Sequence, residues 1–249
     1  MQAAQDWACS DEPDPLDRAF GYHCNNGFKL LAEELQKQSN ACLIPSGLLK
    51  YRNPIFAMAK IAIIVGHPQN QTLCDGLAEA YERGAKGAGH EVKLFALSRL
   101  KFDPILRGGY RELQPLEPDL QAAYDWMAVS DHWVLVFPLW CGDMPALLKG
   151  FIERILQPEL MRRRGTDQEM NWRIFPEKSA RVIMTMGMPT LFYRFWYGAN
   201  TIRLLKRNIL HFIGVRPVRH SLYGMVAEVS TDKRLAWLKE VEALGTAAM

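Results

Sequence analysis

Five short apolar runs, each followed by a stretch with helical spacing, most strongly constrain how this chain can fold. The first run, Lys60–Val65, is apolar without the alternation of a strand with one wet face, so it predicts a strand buried on both sides. Repetition of this order predicts an α/β fold, a doubly wound five-stranded parallel sheet with helices on both faces. The predicted strands are Lys60–Val65, Val92–Leu97, His132–Pro138, Arg181–Gly187 and Val215–Leu222, and the predicted helices are Thr72–Lys86, Leu120–Val129, Pro145–Leu156, Ala199–Ile213 and Thr231–Leu244.

Residues 1–57 differ in character from the rest of the chain. They are rich in turn residues, as in the Asp-Glu-Pro-Asp-Pro segment at 11–15, and contain one short amphipathic pattern at 28–37. The character changes at Met58, where the first strand-like run begins. We therefore predict an N-terminal extension over 1–57, either poorly ordered or not translated because the true start is Met58, and one domain over 58–249.

Composition excludes several classes of protein. Hydrophobic residues make up 49% of the 249 residues, which is typical of a globular protein, and no apolar run reaches the roughly 18 residues of a membrane span. Membrane insertion is therefore not predicted. The five cysteines are scattered without Cys-x-x-Cys spacing, which favours neither a disulfide framework nor a metal site and predicts a reducing cytoplasm. A net charge of +3 is too small to predict a nucleic-acid partner.

The loop after the first predicted strand, residues 66–74, reads Gly-His-Pro-Gln-Asn-Gln-Thr-Leu-Cys. It joins a strand to a helix N-terminus, where free N–H groups and the helix dipole favour a phosphate, and Thr72 adds a hydroxyl. It matches neither a Walker motif nor Gly-x-Gly-x-x-Gly, so nucleoside triphosphate hydrolysis is not predicted. In the alternative interpretation, Thr72 only caps the helix and His67 is a polar loop residue.

The loop after the third predicted strand lies within residues 137–150, Phe-Pro-Leu-Trp-Cys-Gly-Asp-Met-Pro-Ala-Leu-Leu-Lys-Gly. It places Trp140, Cys141 and Gly142 between two prolines. A planar aromatic cofactor requires such a rigid apolar surface, with N–H groups exposed at a glycine turn. Trp140 could instead be a core aromatic residue. Cys141 is interpreted as a small packing residue, because no second cysteine lies nearby in the sequence.

Together with Gly187 and Tyr193, these loops resemble the flavodoxin-like NAD(P)H:quinone reductases. That family includes DT-diaphorase, the modulator-of-drug-activity proteins and the flavoprotein partners of potassium efflux systems. The resemblance covers about residues 58–244 and is most specific over 138–150. It implies a flavodoxin-like fold, FAD or FMN as cofactor, NADPH or NADH as electron donor, and a homodimer. The implied reaction is two-electron reduction of quinones or related aromatic electrophiles by ping-pong hydride transfer.

The resemblance also implies roles for individual residues. Tyr193 is the catalytic candidate, as a hydrogen-bond donor to a quinone oxygen. The chain departs from the family pattern at Cys74, where relatives often have Asn, and at Met188, where they have a second Gly. The catalytic His of DT-diaphorase falls on Ala199, so a Tyr/His relay is not expected. The implied flavin-phosphate residues are His67, Gln71, Thr72, Leu73 and Cys74; the implied ring-binding residues are Pro138, Leu139, Trp140, Cys141 and Gly142, with Gly187 at the pocket edge.

Two other functions remain open at this point. A flavodoxin-type electron carrier would lack NAD(P)H turnover; such carriers are usually acidic, whereas residues 58–249 hold 25 Lys/Arg against 20 Asp/Glu. A regulatory flavoprotein would act by docking to a membrane transporter. The aromatic run at 191–197 could line a site for flat substrates, form a dimer interface or pack in the core. Arg162–Arg164 could attract the NADPH 2′-phosphate or form a solvated charge run.

Overall fold

The computed structural model of the protein describes residues 58–158, 160 and 173–248; the predicted extension and Arg162–Arg164 lie outside these ranges. The described residues form a five-stranded, all-parallel sheet with the strand order β2-β1-β3-β4-β5. This order confirms the predicted doubly wound sheet. The strands are β1 (Lys60–Val65), β2 (Glu91–Ala96), β3 (His132–Pro138), β4 (Ser179–Thr185) and β5 (Val218–Tyr223).

Helices connect the strands and cover both faces of the sheet. Side chains at alternate strand positions, such as Ile61 and Ile63, pack in one buried cluster with residues of the first and last helices. Those between them, such as Ala62 and Ile64, pack in a second cluster with the middle helices. This two-sided burial explains why the inner strands β1 and β3 are apolar without alternation, whereas the edge strands β2 and β5 are partly exposed. The helices are α1 (Leu73–Gly87), α2 (Pro118–Val129), α3 (Ala146–Ile155), α4 (Thr190–Phe195), α5 (Asn200–Arg203), which continues as a π-helix (Leu204–Leu210), and α6 (Thr231–Thr246).

The structure differs from the predicted elements mainly after β4. Helix α4 lies between the predicted fourth strand and the predicted helix Ala199–Ile213, where no helix was predicted, and β4 itself begins and ends two residues earlier than predicted. The predicted helix Ala199–Ile213 is divided into α5 and the π-helix. Strand β5 starts at Val218 instead of Val215, because the Val215 N–H donates to the Leu210 carbonyl and closes the preceding helix.

A buried arginine anchors the long connection between β2 and α2. The Arg154 guanidinium on α3 is fully buried and donates to both carboxylate oxygens of Glu117, over 3.1 and 2.9 Å, and to the Pro115 carbonyl. Partial burial opposes ionisation of Glu117, but the hydrogen bonds from Arg154 and from the Asp103 N–H outweigh it and lower the pKa of this carboxyl. The ion pair thus fixes the connection to α3.

The carboxyl edge of the sheet is where a ligand site is expected. Strands β1 and β3 are neighbours, but the chain leaves β1 towards β2 on one side and β3 towards β4 on the other. Connections that diverge in this way leave a crevice beyond the strand ends. All the candidate loops lie at this edge.

Candidate functional site

The loop between β1 and α1 ends in two unpaired backbone donors. Leu73 and Cys74 are the first residues of the 15-residue helix α1, and among the described residues neither N–H has a hydrogen-bond acceptor. Gln71, just before them, is exposed and has a left-handed backbone, with φ of 60°. Unpaired amides at a helix N-terminus are suited to binding an anionic group such as a phosphate.

Thr72 is occupied as a helix cap. Its hydroxyl donates to Asp75 Oδ2 over 2.6 Å, and its N–H donates to the same oxygen over 2.8 Å, forming a capping box. This cap favours the alternative interpretation of Thr72, because the hydroxyl expected to contact a phosphate already donates to Asp75. Sequence reasoning missed Asp75, although the Thr-x-x-Asp spacing is a recognisable capping signal.

Cys74 contributes only its backbone to the loop. Its side chain is buried, with Sγ 3.4 Å from the Thr185 hydroxyl oxygen on β4. Burial raises the pKa of the thiol to about 11; the Thr185 hydrogen bond opposes this rise with a smaller effect, and the charge of Asp75 adds least to it. The thiol is neutral near pH 7 and is not a nucleophile.

Residues 140–143 form a tight hairpin turn after β3, here called the β3 turn. Trp140 and Asp143 exchange two backbone hydrogen bonds of 2.8 and 2.9 Å, and Cys141 and Gly142 between them are left-handed, with φ of 49° and 79°. This is the geometry of a type I′ turn. The turn leaves the N–H groups of Cys141 and Gly142 without an acceptor in the described part of the chain. Cys141 pays about 1 kcal/mol for this conformation, which glycine adopts freely.

Pro138 and Leu139 are buried and position the β3 turn. The Leu139 N–H donates to the Thr185 carbonyl over 2.7 Å, so it is not available to a cofactor as the resemblance implied. Trp140 is 44% exposed, and its ring meets the His67 ring edge-on at 5.2 Å between centroids. This contact brings the loops after β1 and β3 together and contradicts the alternative of Trp140 as a core residue.

Open space adjoins Gly187, directly after β4. A Cβ placed on this exposed residue would have no atom within 4 Å, apart from its chain neighbours. The residues beside it are fixed, because the Met186 N–H donates to the Tyr223 carbonyl and the Met188 carbonyl accepts from Met225. The structure thus places Gly187 at a rigid edge with room in front of it.

Left-handed residues other than glycine concentrate at this edge. Among the described residues there are five, and four of them lie in loops that follow β1, β3, β4 and β5. Such conformations persist where the surrounding structure holds them, and they are enriched at functional sites. The four are Gln71, Cys141, Ala199 and Met225.

Tyr193, the predicted catalytic residue, is in the interior. Its side chain is fully buried, and its hydroxyl oxygen accepts the Ile202 N–H over 3.2 Å. A phenol in this position is not exposed to an acceptor, so the geometry indicates a role in packing α4 against α5. This burial does not support the predicted contact.

Tyr197 and Thr201 are two further residues that the sequence interpretation missed. Cε1 of Tyr197 lies 3.2 Å from the position that a Cβ would take on Gly142, and the Thr201 hydroxyl donates to the Gly142 carbonyl over 2.7 Å. The two residues hold the β3 turn from the α4–α5 side. The aromatic run at 191–197 was a signal for Tyr197, whereas nothing in the sequence pointed to Thr201.

Known proteins resemble this chain over the same region. A protein family described as having a flavodoxin-like fold matches residues 59–244. An uncharacterized NAD(P)H oxidoreductase of Haemophilus influenzae is 24% identical over 184 residues, 71% of this chain and 89% of the relative. NAD(P)H dehydrogenase [quinone] 1 of Cavia porcellus is 24% identical over 215 residues, 75% of this chain and 77% of the relative.

Solved structures share the same fold. An NAD(P)H:quinone oxidoreductase from Methanothermobacter marburgensis superimposes with a TM-score of 0.63 at 21% identity, covering 76% of this chain and 96% of the other. An FMN-dependent NADH-azoreductase from Bacillus anthracis, solved in complex with FMN, superimposes with a TM-score of 0.57 at 16% identity, covering 76% of this chain and 99% of the other.

Proposed function

The chain belongs to the family with the flavodoxin-like fold, and from this premise we propose that it is a flavin-dependent NAD(P)H oxidoreductase that reduces quinones or related aromatic electrophiles by two electrons. The observation that carries the proposal is the convergence of unpaired backbone donors from two neighbouring loops at one sheet edge: Leu73, Cys74, Cys141 and Gly142. The names of the two curated relatives support both the electron donor and the acceptor class.

The residues present are suited to a flavin. The amides of Leu73 and Cys74 suit a phosphate, and the loop before them is open to solvent at Gln71. The amides at the tip of the β3 turn suit the polar edge of the ring system, and the space beside Gly187 leaves room for it. FAD and FMN share these groups, so the proposal includes both; the neighbour solved with FMN supports a flavin.

A bound flavin would supply the hydride chemistry, accepting from NAD(P)H and giving to the quinone. The protein's own task is to bind, orient and exclude water. Trp140 and Tyr197 border the β3 turn and provide apolar surface on which flat rings can stack. We propose ping-pong turnover, in which the donor leaves before the acceptor binds at the same open edge.

We also propose a homodimer, formed through an apolar groove between α3 and the π-helix. The groove has a volume of about 480 Å³, and Phe212 at its border is 48% exposed. Its lining includes Ile152, Leu156, Ile209, Phe212 and Ile213. Phe212→Glu would place a charge there, and sedimentation velocity should then report a monomer; an unchanged sedimentation coefficient would place any dimer contact elsewhere.

We propose that the reaction takes place in the cytoplasm. Cys74 and Cys141 are both unpaired thiols, and Cys141 is exposed. An exposed thiol persists in a reducing compartment, which also holds the nicotinamide donors.

An anaerobic visible spectrum tests the proposed function. We expect the purified protein to show flavin absorbance that bleaches with NADPH or NADH and returns when a quinone is added. A bound flavin whose absorbance does not change with NADPH or NADH would instead indicate an electron carrier or a transporter partner. A protein that stays colourless after reconstitution with FMN and with FAD would contradict the proposal.

A further inference from the structure

One face of α4 exposes an unusual amount of apolar surface. Its four side chains follow helical spacing, and the Phe192 and Trp196 rings stack with 6.0 Å between centroids. They account for four of the eleven large exposed hydrophobic residues in the described part of the chain. Contiguous patches of this kind mark interaction sites. The aromatic face consists of Leu191 (63% exposed), Phe192 (46%), Phe195 (64%) and Trp196 (78%).

The aromatic face adjoins the candidate site. The Phe192 ring lies edge-on to the Tyr197 ring at 6.0 Å, and the Tyr197 ring packs against Gly142 in the β3 turn. The carbonyl of Gly142 is also bonded to the Thr201 hydroxyl. A partner that covers the aromatic face therefore lies beside the open edge of the site.

The sequence segment that contains the aromatic face has charged residues of only one sign. From Lys178 to Ala227 the sequence contains no Asp or Glu, although the chain has 27 in total. The same segment contains eight basic residues: Lys178, Arg181, Arg194, Arg203, Lys206, Arg207, Arg216 and Arg219.

Two of these cations lie near the aromatic face, whereas Lys178, Arg181, Arg216 and Arg219 lie at the amino ends of β4 and β5, at the opposite edge of the sheet. Arg194 on α4 and Arg203 on α5 are exposed, and Nη1 of Arg203 lies 3.7 Å from the Cβ position of Gly198. Burial lowers the pKa of His220 on β5, and the charges of Arg194 and Lys206 lower it further. The surroundings of the aromatic face therefore attract anions.

This charge argues against a second copy of the chain as the partner. A twofold contact through the aromatic face would bring Arg194 and its neighbours towards the same cations of the other copy. An anionic lipid surface would instead neutralise them while its interface accepts the aromatic rings. No helix among the described residues is long and apolar enough to cross a membrane, so the contact would lie at the surface.

We propose that the aromatic face of α4 and the cations around it bind the surface of an anionic lipid bilayer, and that this contact presents the candidate site to acceptors dissolved in the lipid. The binding is independent of the proposed function. The choice of acceptor does rest on the proposed function, because only a quinone reductase would need access to a lipid-dissolved quinone.

Vesicle flotation with the full chain tests the binding. We expect the protein to float with vesicles of equal parts phosphatidylcholine and phosphatidylglycerol and to stay behind with phosphatidylcholine alone. The double variant Phe195→Ser/Trp196→Ser should lower the partition at least about tenfold, and Arg194→Ala about fivefold. Leu235→Ser, at an exposed leucine on α6, is the matched control and should float like the wild type.

Three outcomes would overturn the binding. The first is wild-type protein that does not float with anionic vesicles. The second is a double variant that floats with them as well as the wild type does. Sedimentation velocity supplies the third: if the double variant loses a dimer that the wild type forms, the aromatic face is a subunit interface. Circular dichroism confirms that the variants are folded.

A rate comparison tests the acceptor. With a water-soluble quinone, the double variant should match the wild type; with a long-chain quinone in anionic vesicles, it should be at least about tenfold slower. Equal rates in the vesicles would overturn the choice of acceptor while leaving the binding intact. Absence of turnover with either quinone would contradict the proposed function, and flotation would then decide the binding alone.

Discussion

Two regions of this molecule use glycine for opposite purposes. Where α1 packs on α6, a Cβ on Gly84 would lie 1.9 Å from the Glu242 carbonyl oxygen, and one on Gly245 would lie 2.1 Å from that of Tyr81. Glycine there lets two backbones touch. At the carboxyl edge of the sheet, Gly187 has open space around its Cβ position and Gly142 supplies a left-handed turn.

The difference separates stability from function within one domain. At Gly84 and Gly245 the α1–α6 interface brings backbone atoms together and leaves no room for even one added carbon. The carboxyl edge has open space beside Gly187, unpaired amides and left-handed residues, and left-handed residues other than glycine are enriched at functional sites. We therefore expect substitutions in the first region to change folding and substitutions in the second to change binding.

The largest effect is expected from Gly84→Ala. The added methyl would overlap the Glu242 carbonyl, so α6 must move, and we expect the free energy of unfolding to fall by about 3 kcal/mol. Urea denaturation measures this, with Gly87→Ala as control because no atom lies within 4 Å of its Cβ position on the same helix. Equal stability of the two variants would mean that the helices are not in close contact.

The next largest effect is expected on flavin affinity, from Gly187→Leu. Gly187→Leu should leave unfolding within about 0.5 kcal/mol of the wild type, because its side chain enters open space. If that space holds the flavin, the dissociation constant should rise about tenfold or more, measured by quenching of flavin fluorescence. Gly87→Leu, on the opposite end of α1 from the site, is the control. Unchanged flavin affinity in Gly187→Leu would remove Gly187 from the pocket.

The strands were predictable because each is encoded locally. A short apolar run between turn residues can be buried on both faces only in a central strand, and the predicted bounds of β1 and β3 are those observed. Helix α4 was not predictable in this way. It has six residues, and it is fixed by contacts outside its own span, such as the bond from the Ile202 N–H to the Tyr193 hydroxyl.

The site could be predicted as loops but not as individual contacts. The loops after β1 and β3 do meet, as the His67–Trp140 contact shows. Neighbouring acceptors decide which donors remain free: the Thr72 hydroxyl donates to Asp75, and the Leu139 N–H donates to the Thr185 carbonyl. The position of Tyr193 depends on the direction of α4, which the sequence pattern did not reveal. Tertiary structure decides which acceptor each of these donors finds.

Tyr193→Phe tests whether Tyr193 is catalytic, given that it lies on helix α4, which the sequence pattern did not predict. Removal of the hydroxyl leaves the buried Ile202 N–H without this acceptor, and we expect a loss of about 1 kcal/mol in unfolding free energy. Quinone reduction should keep its rate and its pH profile, because the phenol is buried. Rates with NADPH over a range of pH check this. A folded variant with a tenfold lower rate would restore the catalytic role predicted from the resemblance.

The smallest effect is expected at Cys141, where the carboxyl edge tolerates strain. Asparagine adopts the left-handed conformation more readily than most residues, so Cys141→Asn should stabilise the protein by about 0.5–1 kcal/mol. Flavin affinity should not change, because the proposed contact is the backbone N–H. Cys141→Val is the contrasting variant, since a β-branched side chain disfavours this φ and should weaken both folding and flavin binding. Equal effects of Asn and Val on folding and flavin binding would mean that the left-handed backbone of Cys141 does not govern the turn.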